Sequence, residues 1–314
     1  MKYGTIAGVN KPVSRLIQGL VMISTDDSEG SMALLDGIYE QGCTTFDTAL
    51  VYAGGKSETM LGRWIASRGV RDKVVILDKG AHHTAQRQRV TPEDINADVA
   101  TALERLGTDY VDLFLLHRDD PAVPVGPIIE VLNEHQRAGR VRAFGGSNWT
   151  ASRVAEANEY AAARGLTPFA ASSPNHSLAL PADVPWDNCV SISGPAGEAD
   201  RAWYARTKLP VLFWSSLAGG FFSGRFSRAA VAASEDYFDK LVVKCYCTDE
   251  NFDRLEWAGR VADEMGLTIP QMALAWVLSQ PMNVFPLVGC RTPAEFAANV
   301  QALDLNLPPD APTA

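Results

Sequence analysis

Eight short runs of apolar residues recur along the chain, and segments with helical periodicity separate most of them. Runs such as Val74–Lys79 (VVILDK) and Val111–His117 (VDLFLLH) are typical of strands buried on both faces of a parallel sheet. This repeated strand–helix order predicts an α/β fold, and eight units favour a (β/α)8 barrel, the TIM barrel. The predicted strands are Leu16–Leu20, Thr44–Ala49, Val74–Lys79, Val111–His117, Val141–Ser147, Phe169–Ser173, Val211–Ser216 and Val284–Gly289.

The length of the chain agrees with one large barrel. The 314 residues would also suffice for two domains, but no linker rich in Pro, Gly or Ser divides them. We therefore expect a single domain over residues 1–314, with a doubly wound open sheet as the alternative, because periodicity does not show closure. The extra length lies in two segments, Pro174–Gly197 after the sixth strand and Ala218–Asn251 after the seventh. Both follow the carboxyl ends of strands, where barrel enzymes build their active sites.

Several helix boundaries are marked by capping residues. Thr91-Pro92-Glu93-Asp94 supplies an N-cap and a proline in the first turn, and Thr268 and Thr292 begin similar segments. These patterns predict helices that start at the three threonines. Gly107 and Gly139 mark positions where helices are expected to end.

Charge and cysteine content narrow the classes of partner. The formal net charge is −9, which disfavours binding to nucleic acid or to an anionic membrane surface. No run of about 18 apolar residues predicts a transmembrane helix. The five cysteines are odd in number and irregularly spaced, which favours a reducing, cytoplasmic location over a disulfide framework. Their spacing predicts no metal site.

Ionisable residues stand at the ends of three predicted strands. Asp47 ends the second run, Lys79 the third and His117 the fourth, and Tyr52 follows Asp47 by five positions. If the strands are parallel in one barrel, these four side chains converge at the same mouth.

This combination suggests acid–base chemistry. Buried Asp47 and Lys79 would need each other as charge partners. An ammonium beside a phenol favours the phenolate, so we expect Lys79 to lower the pKa of Tyr52. Tyr52 is then a candidate general acid that protonates a forming alkoxide, and His117 would orient the substrate oxygen.

The same residues lie in motifs that resemble the aldo-keto reductase superfamily along almost the whole chain. The resemblance rests on Gly42…Phe46-Asp47-Thr48-Ala49…Tyr52, Ser57-Glu58…Leu61-Gly62, Lys79, Val111-Asp112-Leu113…Leu116-His117, Gly139-Arg140-Val141-Arg142…Gly145-Gly146-Ser147-Asn148, Trp214-Ser215-Ser216-Leu217 and Pro286…Gly289-Cys290-Arg291. It implies a (β/α)8 barrel that binds an extended nicotinamide cofactor without a Rossmann domain. It also implies that Asp47, Tyr52, Lys79 and His117 form the catalytic tetrad.

The resemblance implies a cofactor site on the later strands. Ser147 and Asn148 match the pair that hydrogen-bonds the nicotinamide carboxamide, and Ser172 stands where the family usually has a Gln contact. Trp214 matches an aromatic residue that stacks on the nicotinamide, which its flat apolar ring suits. The residues expected along the pyrophosphate are Ser215, Leu217 and Gly219.

The last strand–helix junction matches the segment that meets the adenosine end of the cofactor. Gly289, Arg291 and Asn299 lie in it, and a helix N-terminus there suits a phosphate. Arg291 would meet a 2′-phosphate, whereas a carboxylate at Glu295 would repel it. Glu295 is also the third helical position of a capping box, and that alone would explain it. NADP is the first choice of cofactor, with NAD as the alternative.

By this resemblance the chain is expected to be an enzyme that reduces an aldehyde or ketone to an alcohol, or catalyses the reverse. Its partner would be a small carbonyl or alcohol substrate, with sugar-derived compounds as one class. Two alternatives remain open: a cofactor-binding regulatory subunit resembling potassium-channel β subunits, and a sugar epimerase or dehydratase that uses bound cofactor transiently. Fold alone does not separate these functions, and the sequence predicts no oligomeric state.

Overall fold

The structure, a computed structural model, describes residues 1–229, 235–307 and 311–312. Eight parallel strands close into a barrel because the last strand, β10, pairs with both β9 and β3. Closure confirms the predicted (β/α)8 barrel and excludes the open sheet. The barrel strands are β3 (Ile17–Gly19), β4 (Thr45–Asp47), β5 (Val75–Gly80), β6 (Val111–Leu116), β7 (Val141–Ser147), β8 (Ala171–Ser173), β9 (Pro210–Phe213) and β10 (Asn283–Val288).

Helices surround the barrel. The three predicted capping threonines begin α3, α9 and α10, and Gly107 ends α3 in the left-handed conformation that glycine adopts without strain. The helices of the described residues are α1 (Ser28–Glu40), α2 (Lys56–Arg68), α3 (Pro92–Leu106), α4 (Val125–Arg137), α5 (Ala151–Ala163), α6 (Glu198–Thr207), α7 (Tyr237–Tyr246), α8 (Asp249–Met265), α9 (Ile269–Leu278) and α10 (Pro293–Gln301).

Alternation along each strand separates two cores. Leu77 of β5 and Leu113 of β6 belong to the apolar cluster inside the barrel, whereas Ile76 and Phe114 pack outward with the helices. Because successive strand residues point to opposite faces, the inward set of β5 continues to Lys79. The chain continues in the same way from Leu113 of β6 to His117.

A short hairpin covers the opposite end of the barrel. Its strands are β1 (Tyr3–Gly4) and β2 (Val13–Ser14), and Ile6, Val9 and Val13 join the apolar cluster of the barrel interior. This end is therefore packed with apolar side chains, and the polar residues are left to the carboxyl mouth.

Two long segments lie above the mouth. The segment after β8, Pro174–Gly197, is largely irregular and finishes in a short 3-10 turn. The segment after β9, predicted as an extended loop, instead holds the 3-10 turn Ala218–Ser223 and helix α7. The amphipathic sequence of α7 buries Val242, Cys245 and Tyr246, which explains why a helix is stable there. Residues 230–234 of this segment lie outside the described residues.

Candidate active site

Three neighbouring strands bring the predicted catalytic residues together. Asp47 ends β4, Lys79 is the penultimate residue of β5, and His117 directly follows β6. Tyr52 begins the short 3-10 turn Tyr52–Gly55 that follows β4. The exposed fraction of each of Asp47, Lys79 and His117 is at most 8%, so these polar groups share a nearly water-free site.

Lys79 is the centre of this cluster. Its Nζ lies 2.5 Å from Asp47 Oδ1 and donates hydrogen bonds of 2.9 Å to the Thr48 carbonyl and 3.2 Å to Tyr52 Oη. The expected charge pair is therefore present, and burial without it would be costly for either ion. Three directed contacts fix the ammonium beside the phenol.

The pKa of Tyr52 differs from the expectation. Burial raises it, and the Lys79 ammonium offsets this rise only in part, while Asp47 adds to it. Lys79 lowers the pKa of Tyr52, as predicted, but the desolvation of the phenolate outweighs this contribution and leaves the pKa raised. The neutral phenol, which can donate a proton, is the stable form near neutral pH.

His117 lies across from the phenol. Its ring centre is 5.8 Å from that of Tyr52, with the planes at 81°. Burial, followed by the charges of Lys79 and Arg118, holds the pKa of His117 well below its usual range. Its Nδ1 is buried and has no hydrogen-bond partner among the described residues. A neutral imidazole in this position can donate one hydrogen bond to a substrate oxygen.

The predicted carboxamide contacts Ser147 and Asn148 lie at the end of β7 and are bonded within the chain, partly to Trp214, the predicted stacking residue that follows β9. Asn148 Oδ1 accepts hydrogen bonds from Val190 N (3.1 Å) and from Trp214 Nε1 (3.2 Å). Its Nδ2 donates to the His117 carbonyl (3.1 Å) and to Ser147 Oγ (3.3 Å). A ligand amide can reach Asn148 only by replacing some of these bonds.

Ser172 faces away from this mouth. Its hydroxyl is hydrogen-bonded to Tyr204 Oη of α6 at 2.8 Å, and both residues are completely buried. Ala171 belongs to the barrel interior, so strand alternation directs Ser173 inward as well. The predicted contact of Ser172 with the cofactor is therefore corrected, since the serine on the inner face is Ser173. Counting alternate residues along β8 would have found it.

The segment that follows β9 contains several left-handed residues. Ser215 has a φ of 51° and Gly219 a φ of 65°. Ala218 N donates to the Ser215 carbonyl and Gly220 N to the Leu217 carbonyl, so the backbone folds into successive tight turns. Ser215, Leu217 and Gly219 thus lie in one compact loop beside Trp214, which is half-buried.

The residues predicted for the adenosine end lie at the start of α10. Gly289 is exposed with open space around it, and Arg291 is also exposed. Glu295 accepts a 2.8 Å hydrogen bond from Arg291 N, while its own N–H donates to Thr292 Oγ1. Thr292 therefore caps the helix, whereas the Glu295 side chain binds the residue before the N-cap and does not form the predicted capping box. Asn299 is buried and donates to Cys290 Sγ.

Two features of the mouth were not predicted. Arg118, directly after His117, is 3% exposed, and its Nε donates to the Asp187 carbonyl at 3.1 Å. The segment Asp187–Val190 thus lies over the mouth, bonded to Arg118 and, through Val190, to Asn148. The position of Arg118 at the end of a buried strand was a signal for the first feature. The second depends on a long-range contact that local sequence does not encode.

In the described part of the chain, no group of three or more His, Cys, Asp or Glu side chains is arranged to hold a metal ion. No helix among the described residues is long and apolar enough to cross a membrane.

Comparison with known proteins gives the family. The sequence model of the Aldo/keto reductase family matches residues 15–312. Norsolorinic acid reductase stcV of Emericella nidulans is 31% identical, covering 89% of this chain and 69% of that protein. A "Probable voltage-gated potassium channel subunit beta" of Oryza sativa subsp. japonica is 25% identical, covering 97% and 92%.

The fold also matches a solved structure. The thermostable aldo-keto reductase Tm1743, in complex with the inhibitor epalrestat, superimposes with a TM-score of 0.74 at 21% identity, covering 99% of this chain and 97% of that one. With the family match over almost the whole sequence, the chain belongs to the aldo/keto reductase family, a family of oxidoreductases that use a nicotinamide cofactor.

Proposed function

We propose that this protein reduces an aldehyde or ketone to the alcohol with NADPH, and that Tyr52 is the general acid. The observation that carries the proposal is the contact between Tyr52 Oη and Lys79 Nζ, 3.2 Å long, in a buried cluster completed by Asp47 and His117. A phenol that is protonated at neutral pH, held beside a fixed ammonium, can release its proton to a developing alkoxide.

The mouth has the groups that a nicotinamide dinucleotide requires. Trp214 offers an indole face, and Ser147, Asn148 and Ser173 bring polar groups to the same end of the barrel, where the Ser173 hydroxyl donates to the Leu212 carbonyl at 2.6 Å. The compact loop after β9 and the exposed Gly289 leave room for a phosphate-bearing chain to approach the backbone. When bound, this cofactor supplies the hydride that is transferred to the carbonyl carbon. In this proposal Ser173, and not Ser172, contacts the nicotinamide carboxamide.

The residues of the chain then divide the remaining work. His117, neutral, donates a hydrogen bond to the carbonyl oxygen and orients it, while Tyr52 gives that oxygen its proton. Lys79 stabilises the phenolate that remains, because its ammonium is held by Asp47 and the Thr48 carbonyl. These groups are fixed before the reaction, so little reorganisation is needed as charge develops.

We propose NADP over NAD as the cofactor. The support is Arg291, whose exposed side chain at the start of α10 is positioned near the amino end of a nine-residue helix. A guanidinium and a helix N-terminus both favour a phosphate group. The Glu295 carboxylate accepts a hydrogen bond from the Arg291 N–H, and we expect its negative charge to weaken the binding of the 2′-phosphate without preventing it.

The decisive experiment is Tyr52→Phe, with Tyr39→Phe on the outer helix α1 as the matched control. We expect Tyr52→Phe to lower kcat for NADPH-dependent reduction by about 10²–10⁴-fold, the usual contribution of a general acid. The dissociation constant for NADPH should change little, because the lost hydroxyl acts on the substrate oxygen. Tyr39→Phe should keep wild-type values. Steady-state absorbance assays on a panel of carbonyl compounds and fluorescence titration with NADPH give both quantities.

Near-normal turnover by Tyr52→Phe would refute the assignment. The similarity to a potassium-channel β subunit gives a second candidate, a regulatory subunit that retains its cofactor. Tight NADPH binding by the wild type, without turnover of any compound in the panel, would favour that candidate instead.

A further inference from the structure

Arg118 is a buried cation without a carboxylate partner. The described residues include two buried Lys or Arg side chains, Lys79 and Arg118. Lys79 forms its ion pair with Asp47, but no carboxylate of the described residues lies within 4.0 Å of the Arg118 guanidinium. Buried charges in folded proteins are normally paired or bound to a ligand of opposite charge. The missing partner therefore requires an explanation.

The hydrogen bonds of Arg118 leave part of its guanidinium free. Its Nε donates to the Asp187 carbonyl at 3.1 Å, and its Nη1 donates to the His117 carbonyl at 2.8 Å. Its Nη2 makes no hydrogen bond to the described residues, although it is not among their fully enclosed, unpartnered polar atoms. Two backbone carbonyls would be satisfied equally well by a neutral donor, so the positive charge itself has no partner.

The charge lies next to one of the proposed reacting residues. Arg118 Nη1 is hydrogen-bonded to the His117 carbonyl at 2.8 Å, so the guanidinium is fixed at the same strand end as the His117 imidazole. Its charge also acts on the Tyr52 phenol and on the His117 imidazole. A carbonyl compound that we place between Tyr52 and His117 would therefore lie on the same side of the mouth as the guanidinium.

We infer that Arg118 binds an anionic group of the substrate, and that the preferred substrates are carbonyl compounds that carry a carboxylate. This inference rests on the proposed function, because it places the reacting carbonyl at Tyr52 and His117. The planar guanidinium matches a carboxylate geometrically and forms charge-assisted hydrogen bonds with it. Arg118 thereby acts as a specificity-determining residue.

The local charge favours a carboxylate over a phosphate. Asp47 neutralises Lys79, and burial keeps His82 and His117 neutral near pH 7, with the pKa of His82 lowered to about 4. The Asp187 carboxylate also acts on Arg118, but it is exposed and lies beyond ion-pair distance among the described residues. Arg118 is then a positive charge without an ion pair at this side of the mouth. A carboxylate, with one negative charge, balances it, whereas a phosphate ester with up to two charges would remain partly uncompensated in a buried site.

The test compares carboxylates with their uncharged esters. Glyoxylate, succinic semialdehyde and 4-carboxybenzaldehyde, each beside its methyl ester, are assayed with NADPH and wild type, Arg118→Gln and Arg118→Lys. Arg63→Gln, which removes an exposed arginine of α2, is the control with the same change in net charge. We expect wild type to prefer at least one acid over its ester by tenfold or more in kcat/KM. Arg118→Gln should lose at least tenfold of that ratio, Arg118→Lys less, and Arg63→Gln none.

A binding measurement keeps the inference separate from the proposed function. Calorimetric titration with 4-(hydroxymethyl)benzoate, the alcohol that corresponds to one probe, is carried out with NADP present. Binding by wild type that is at least tenfold weaker in Arg118→Gln supports the carboxylate site, even if no compound is turned over and the proposed reaction fails. Equal use of acids and esters by wild type, or an equal loss on both in Arg118→Gln with unaltered calorimetric binding, would overturn it. A preference for a phosphorylated aldehyde such as glyceraldehyde 3-phosphate over every carboxylate would also overturn it.

Discussion

The two halves of the barrel mouth differ in what their polar side chains are bonded to. In the half formed by β4–β6, Asp47, Lys79 and Tyr52 are bonded to one another, so the proposed catalytic cluster is assembled before any ligand binds. In the half formed by β7–β9, Asn148 is bonded to Val190 and Trp214 of its own chain. The first half is preorganised, whereas the second must exchange internal bonds for contacts with a cofactor. Chemistry and cofactor binding should therefore respond to different substitutions.

The largest effect should follow from breaking the preorganised half with Lys79→Met. The variant leaves the Asp47 carboxylate buried without a partner, which typically costs about 3–5 kcal/mol of stability. We also expect kcat to fall by at least about 10²-fold, with little change in NADPH affinity. Thermal unfolding, turnover and fluorescence titration measure the three quantities. The double variant Asp47→Leu/Lys79→Met should recover stability but not turnover. A kcat within a few-fold of wild type would mean that the cluster is structural.

The same variant has a predicted effect on pH dependence. Lys79 lowers the pKa of Tyr52 against the dominant effect of burial, so its removal should raise that pKa further. Reduction requires the protonated phenol, and its rate therefore falls as pH rises through the pKa of Tyr52. The alkaline limb of the kcat profile should move to higher pH in Lys79→Met. In Asp47→Asn it should move to lower pH, because Asp47 raises the pKa. A shift in the same direction for both would exclude Tyr52 as the titrating group.

A smaller effect, on NADPH affinity, should follow from a substitution in the half of the mouth formed by β7–β9. Val190→Pro removes the N–H that competes for Asn148 Oδ1. A net hydrogen bond of about 0.5–1.5 kcal/mol corresponds to an NADPH affinity about two- to tenfold tighter. Val184→Pro is the control, since it removes an N–H of the same segment that is bonded to Asp183. Unchanged or weaker binding by Val190→Pro alone would show that this half is also preformed.

The effect at the far end of the cofactor site should be smaller still. Glu295→Gln retains an oxygen that can accept the Arg291 N–H but removes the negative charge near the proposed 2′-phosphate. An exposed charge contributes about 0.3–1 kcal/mol near a helix end, so NADPH affinity should rise about two- to fivefold, with NADH affinity unchanged. An unchanged ratio of the two affinities would show that Glu295 serves only to accept the Arg291 N–H at the start of the helix.

A separate prediction concerns the pH dependence of folding stability next to β8 and β9, not ligand binding. His176 follows β8 and packs between Phe213 and Trp276, and burial lowers its pKa to about 3. The unfolded chain takes up a proton near pH 6.5 that the folded chain does not. Protonation of His176 in the unfolded chain therefore destabilises the folded state below pH 6.5. Its effect on the free energy of unfolding is a decrease of up to about 1.4 kcal/mol for each pH unit toward pH 3. His176→Phe should reduce the slope of denaturant-measured stability between pH 6.5 and 4.5. An identical slope would contradict this origin.

Much of the fold was predictable because its signals are local. Runs such as Val74–Leu77 are apolar on both faces, and the Thr91, Thr268 and Thr292 caps mark helix starts directly. The eight barrel strands lie within or overlap the predicted runs, whereas the strands of the hairpin, β1 and β2, were not predicted. Closure needed the structure, because the pairing of β10 with β3 joins residues more than 250 positions apart. The assignment of residues 1–314 to one domain stays a prediction.

The site was predictable where strand order alone places the residues. Asp47, Lys79 and His117 follow from the parallel barrel, and the structure brings them together with Tyr52. The predicted contact of Ser172 with the cofactor was wrong because it ignored the alternation of side chains along β8. The net rise in the pKa of Tyr52 was not predicted, because desolvation depends on burial, which neighbouring residues in the sequence do not reveal. Arg118 was not predicted because its burial and its lack of an ion pair among the described residues are visible only in the structure.

The apolar hairpin at the opposite end of the barrel has a kinetic consequence. Ile6, Val9 and Val13 fill that end, so cofactor and substrate must enter and leave through the same opening. A ligand at the outer part of the mouth would obstruct one lying deeper. Under the proposed function we therefore expect ordered binding and release, with release of the last product as the slow step of turnover.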